Sequence, residues 1–226
     1  MPELHTIHQP PALAQIAYRA LRDSILARRL KPGEVYTESA LAKDLGISKT
    51  PVREALKELS GQGLVTFLPR RGVLVNRYYE RDVEEVFEVR AAIELAVVEK
   101  VAGAVPPADL GPVEAALRLQ REAVVEGRKL AFLEADRLFH AAFGELADNA
   151  RLLAILENVR DLVQVMGMEA LAHENRPEEV LEEHVEVIDA IRAGDPALAR
   201  TAMARHLERS KESVLIKYRS EVRDTG

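Results

Sequence analysis

The chain has 226 residues, 47% of them hydrophobic and 30% charged, with a net charge of −6, a balance that excludes a disordered chain and a disulfide-stapled miniprotein. Cysteine is absent, which excludes disulfides, thiol catalysis and thiolate metal sites. Aromatic residues make up 4% with no tryptophan, which argues against a large β-sandwich and against a stacking-based single-strand binder. No run approaches ~20 uncharged apolar residues, so no membrane span is expected. The opening MPELHTIHQPPALAQ has neither the basic start nor the apolar core of a secretory signal, and the expected location is the cytoplasm.

Residues 11–28 carry Leu13, Ile16, Ala17, Ala20, Leu21, Ser24 and Ile25 at helical spacing, and Lys31-Pro32-Gly33 ends that helix. Thr37 is placed to cap a short second helix, TESALAKDL, which stops at Gly46 with Ile47 as its apolar closure. Ser48 is placed to cap a third helix from Lys49 to about Gln62, with Pro51 in its first turn. Ala42, Gly46 and Val52 suit a helix-turn-helix: a small residue for close approach, glycine for the turn, an aliphatic residue at the joint. Lys49, Arg53 and Lys57 recur every four residues on the third helix, a row suited to phosphates and base edges, or else a solvated basic face. Residues 64–68 and 73–75 are strand-like and flank Pro69-Arg70-Arg71-Gly72, which predicts a hairpin with a basic tip, that is, a wing.

From residue 79 onward no strand-like stretch occurs. Helices are expected over about 81–104, 109–126, 128–147, 150–174, 177–193 and 196–219, separated by Pro106-Pro107, Gly127, Asp148-Asn149, Arg176-Pro177 and Gly194-Asp195-Pro196. The predicted fold class is therefore mainly α: an N-terminal winged helix-turn-helix over 11–78 and a C-terminal all-α antiparallel helical bundle over 79–219, with tails at 1–10 and 220–226. Charge follows the same division, residues 1–78 carrying +5 and residues 79–226 carrying −11, as expected for a nucleic-acid module joined to something else.

Asp136 and His140 stand four apart, on the face that also holds Phe132, Leu133, Phe139 and Phe143. His184 lies among Val180, Leu181, Val187, Ile188 and Ile191, and His206 among Ala202, Met203 and Leu207. Three imidazoles and a carboxylate on inward faces of three helices can surround a divalent metal ion, and buried imidazoles without partners would be costly. Such ligands suit zinc first, with nickel or manganese as alternatives. Arg90 either grips the carboxylate of a bound molecule or pairs with Glu94, Glu85 or Glu88. Met166 and Met168 suit a pocket wall or plain core filling, and Asn158 and Arg160 are weaker pocket candidates. His5, His8 and His173 read as solvated.

The run LKPGEVYTESALAKDLGISKTPVREALKELSGQGLVTFLPRRGVLV resembles the winged-helix domain of the GntR family of bacterial transcription regulators, most specifically in SKTPVREAL and QGLV. The resemblance implies that an operator in double-stranded DNA is contacted by Lys49, Thr50 and Arg53 and, at the wing, by Arg71 and Gly72. Lys49 stands where the family most often has arginine, so a bidentate base contact becomes a point-charge contact, and Ser39 stands where many members have arginine. Residues 80–217 resemble the all-helical FCD effector domain of the FadR-type subgroup, through VEEVFEVRAAIE, EADRLFHAAF, EEHVEVIDAIRAGDPALA and MARHL. That implies a metal held by Asp136, His140, His184 and His206 beneath a pocket for a small carboxylate effector, in a homodimer whose recognition helices enter successive major grooves. Two alternatives are a DNA-binding regulator with a purely structural metal, and a metal-dependent enzyme fused to a winged helix. The second lacks a clear acid–base constellation beyond Glu134 and Glu183 near the ligands, and the chain is not expected to be an enzyme.

Overall fold

The computed structural model describes residues 13–104, 108–167 and 176–223, without the side chains of 157, 158, 160, 161, 217 and 220–223. Contacts divide the chain into two units, Met1–Arg77 and Tyr78–Gly226.

In the first unit the elements run α1 (Leu13–Leu26), β1 (Val35–Tyr36), α2 (Glu38–Leu45), α3 (Lys49–Gly61), β2 (Val65–Leu68) and β3 (Gly72–Val75). Thr37 caps α2, its Oγ1 accepting from Ala40 N at 3.2 Å. Gly46 ends α2 in the left-handed region at φ 67°, and Ile47 N then donates to Ala42 O, which satisfies carbonyls that the helix leaves open. Ser48 occupies the N-cap position of α3 in extended backbone, but its side chain makes no cap bond, unlike the expectation. Ala42 and Val52 are buried at the joint between α2 and α3, and α1 lays Leu21 and Ile25 into the same core as Leu56 and Leu59.

The wing is larger than a hairpin. β1, which has too few residues to show an alternation, pairs with β3, giving an antiparallel sheet in the order β1-β3-β2. Its register places Val35 opposite Leu74 and Leu68 opposite Gly72. Gly72 has φ 122°, and a Cβ there would stand 2.2 Å from the Tyr36 carbonyl oxygen. Glycine is thus required for β3 to lie against β1. Gly72→Ala is expected to destabilise this unit by about 2 kcal/mol or more, read as a lowered urea midpoint; an unchanged midpoint would contradict that close approach.

The second unit comprises α4 (Glu80–Ala102), α5 (Gly111–Val125), α6 (Lys129–Leu146), α7 (Ala150–Gly167), α8 (Arg176–Arg192) and α9 (Pro196–Arg223). It is an all-α bundle in which α4 and α8 pack on α9, and α5 and α7 pack on α6. The α8–α9 corner shows how sequence sets the turns. Gly194 takes φ 63° past the end of α8, Asp195 Oδ1 accepts from Leu198 N at 2.9 Å, and Pro196 opens α9 where no N–H is needed. The helix α9 continues to Arg223, beyond the expected end at 219. The main core gathers Val97 and Val101 from α4, Phe139 and Phe143 from α6, Val187 and Ile188 from α8, and Met203 and Leu207 from α9. This core is the wall against which the three buried imidazoles are set. Met166 is plain core, packed with Val83, Phe87, Val214 and Leu215. Met168, His5, His8 and His173, and the side chains of Asn158 and Arg160, lie outside the described residues.

Candidate metal centre and nucleic-acid surface

His140 on α6, His184 on α8 and His206 on α9 are each at least 98% buried and come together at one point. His206 Nε2 lies 3.3 Å from His140 Nε2 and 3.4 Å from His184 Nε2. Asp136, one turn before His140, faces the same point, with its oxygens 3.8 Å from His140 Nε2 and 3.7 Å from His184 Nε2. The four residues singled out by the sequence are therefore brought together. Phe139 stacks on the His184 ring at 3.7 Å and 8°, which fixes that ring's plane.

The opposite edge of each imidazole meets an oxygen acceptor. His184 Nδ1 donates to Gln120 Oε1 on α5 at 2.8 Å, and His206 Nδ1 donates to Glu183 Oε2 at 2.8 Å. His140 Nδ1 lies 2.5 Å from Glu94 Oε2 on α4, though not aligned for a hydrogen bond. A carboxylate or amide oxygen can only accept, so the proton of His184 and of His206 sits on Nδ1 and the lone pair on Nε2. The Gln120 amide is oriented by its second contact, Nε2 donating to Asp136 Oδ1 at 3.1 Å. Burial holds His184 well below the ordinary histidine range, helped by the positive fields of His206, His140, Arg90 and Arg176. Burial likewise lowers His206, against the opposing pull of Glu183. Burial would raise Glu183, but its hydrogen bonds to His206 and Arg176 outweigh that and bring it to about 2.

This donor set fits a metal ion. Three Nε2 atoms converge, the protons of His184 and His206 are parked on the far side, and a carboxylate supplies charge. Two nitrogens each about 2.0–2.1 Å from a tetrahedral ion stand about 3.3–3.4 Å apart, which is the spacing seen here. Beside this centre is a pocket whose lining includes Arg90, Asp136, Arg176, His206 and Ser210, with Phe87 and Phe132 among its apolar members. Arg90 is 2% exposed and pairs with Glu94, as one of its two readings expected: Nε bonds Glu94 Oε1 at 2.7 Å, while Nη2 reaches to 3.3 Å from His140 Nε2.

Sequence reasoning missed the ring behind the histidines. Arg176, expected only to separate helices, is the first residue of α8, is buried, and bonds Glu183 through both Nη atoms at 2.7 and 3.0 Å. The signal was the spacing of Arg176, Glu179, Glu183 and His184, which shares one helix face, and a glutamine at 120 in the apolar register of Val113, Ala116, Leu117 and Ala123.

In the first unit, Lys49, Thr50 and Arg53 are exposed on the first two turns of α3, and Arg71 is exposed at the β2–β3 tip. Gly72 is half-buried beneath that tip. The basic row is not bare: Arg53 pairs with Glu38 of α2, and Lys57 with Glu54 at 3.1 Å.

A winged helix-turn-helix in one chain with a helical unit that encloses a histidine-carboxylate centre defines a class of transcriptional regulator. The chain belongs to the GntR family: residues 13–75 match the bacterial regulatory proteins of the gntR family, and residues 85–209 match the FCD domain. It is 31% identical over 205 residues to the HTH-type transcriptional regulator YdfH of Escherichia coli O6:H1, covering 91% of this chain and 90% of that one. It is 30% identical over 200 residues to the HTH-type transcriptional repressor RspR of Escherichia coli K12, covering 88% of each. Among solved structures, a GntR regulator from Rhodococcus sp. RHA1 superposes with a TM-score of 0.78 at 25% identity, over 89% of this chain and 97% of that one. These relatives are named as transcriptional regulators, and this protein is a transcriptional regulator of the same family. Among the described residues no helix is long and apolar enough to cross a membrane.

Proposed function

We propose that this regulator is a cytoplasmic homodimer that binds operator DNA through residues 11–78 and senses a small organic acid through a metal-containing domain over 79–219. Asp136, His140, His184 and His206 hold the divalent ion, zinc being the preferred occupant and nickel or manganese the alternatives. Lys49, Thr50, Arg53, Arg71 and Gly72 form the DNA surface. The ion, when bound, supplies an electrophilic anchor for a carboxylate. Arg90, already turned toward His140, supplies the second contact to that carboxylate. The observation that carries this reading is the convergence of three Nε2 atoms whose opposite ring edges are turned to oxygen acceptors.

The test is metal analysis of the purified protein, followed by thermal melts with a panel of small carboxylic acids, before and after stripping by a chelator. An acid that raises the melting temperature of the metal-loaded protein, and not of the stripped protein, supports the reading. Stabilisation by metal with no response to any acid would favour a structural ion instead. An effector alters DNA binding only through a difference in affinity for two arrangements of the protein, so the stabilising acid must also shift operator affinity.

A further inference from the structure

We propose that Glu38 is a positioning residue for DNA recognition, holding the Arg53 guanidinium in the orientation that discriminates one base sequence from another. This rests on the reading of α3 as the DNA-contacting helix. Glu38 is the first residue of α2 and Arg53 lies in the second turn of α3, so the pair ties the two helices of the motif across the turn. Arg53 Nε lies 3.0 Å from both Glu38 oxygens, and Nη2 lies 2.8 Å from Oε2. The contact is side-on. It engages the Nε–H and one Nη2–H, and leaves the end-on fork, formed by Nη1 and the other hydrogen of Nη2, unused. That fork is the part of an arginine that matches guanine O6 and N7, or two phosphate oxygens.

The exposures of the two partners support this division of labour. The Glu38 side chain is 18% exposed and the Arg53 side chain 59%, so the anchor is sheltered and the reader protrudes. A surface ion pair of this kind adds little to stability. Its effect is on conformational freedom: a free arginine samples many rotamers, and each one frozen on binding weakens the complex. The carboxylate has a second consequence. A negative charge beside the DNA surface opposes phosphates everywhere, so it penalises sequence-independent binding. One residue therefore acts on both terms of a specificity ratio, in opposite directions.

The experiment uses the full-length protein and two duplex probes: a site enriched by wild-type protein from a random pool, and a scrambled duplex of equal length and composition. Affinities are read by fluorescence anisotropy across a salt series. For Glu38→Ala we expect affinity for the enriched site to fall at least tenfold, while affinity for the scrambled duplex holds or rises two- to threefold. Glu38→Gln, which keeps an acceptor for Nε–H without the charge, should recover part of the enriched-site affinity. A specificity ratio unchanged in Glu38→Ala overturns the proposal. So does an equal fall on both probes, which marks a merely structural role, and the melting temperature of each variant is compared to identify it. Arg53→Ala separates the proposal from the reading beneath it. If Arg53→Ala binds the enriched site as wild type does, the assignment of α3 fails and the Glu38 proposal with it; if Arg53→Ala loses that site and Glu38→Ala keeps it, the Glu38 proposal alone fails.

Discussion

His184→Ala is expected to abolish stoichiometric metal retention and the thermal response to added metal. The ring is fully buried, and its removal deletes one of three converging nitrogens. It also deletes the stack on Phe139 and takes from Gln120 Oε1 the hydrogen bond donated by His184 Nδ1. A ligand present at a hundred times its dissociation constant stabilises a fold by about 2.7 kcal/mol. For a chain of this size that is a rise of roughly 5–10 °C in melting temperature. Wild-type protein should show such a rise on metal addition, and His184→Ala should show none. The stripped variant should in addition melt below stripped wild type, because a large-to-small change at a packed site costs about 2–5 kcal/mol. Retained metal at one equivalent per chain, measured by elemental analysis after gel filtration, would refute the centre.

Glu183→Ala is expected to be as damaging although Glu183 touches no ion. The carboxylate is buried and shared between Arg176, His206 and, at 3.3 Å, Arg209. Removing it leaves the Arg176 guanidinium buried without its bidentate partner, and the loss of one member of a buried pair costs roughly 3–5 kcal/mol. It also frees His206 to rotate or to move its proton to Nε2, the atom that must present a lone pair. Loss of such an outer partner typically weakens metal binding about 10–100-fold. Glu183→Gln should retain the acceptor for His206 Nδ1 and lose much less in metal affinity than in stability. Denaturant titration and competition with a colorimetric chelator read the two effects separately. Equal metal affinity in wild type and Glu183→Ala would show that the imidazole is oriented by packing alone.

These two residues also mark how far the sequence could be read. His184 announced itself: an imidazole in the register of Val180, Val187, Ile188 and Ile191 must point inward, and a period of 3.6 residues is visible in any helix. The same holds for His140, four residues after Asp136, and for the cap and turn residues Thr37, Gly46 and Asp195. Glu183 was noticed only as a carboxylate near the ligands; its role as the partner of His206 and Arg176 was hidden because it sits in a run of acidic residues, EEVLEEHVEV, most of which are ordinary solvent-facing charges. Arg176 was hidden by the proline after it, which reads as an interruption although proline is at home in a first turn. Pairings between helices, such as Gln120 with His184 or Glu38 with Arg53, depend on crossing geometry that no local pattern encodes. The strand β1 escaped for a simpler reason, since two residues cannot display an alternation.

The centre is assembled wholly from nitrogen and oxygen, in a chain without a single cysteine. Thiolate-bound ions are lost when peroxide or disulfide stress oxidises the sulfur, because a sulfenate or disulfide no longer coordinates as the thiolate did. Imidazole and carboxylate have no equivalent first step. An ion held here would therefore not be released by the thiolate oxidation that empties zinc–thiolate proteins.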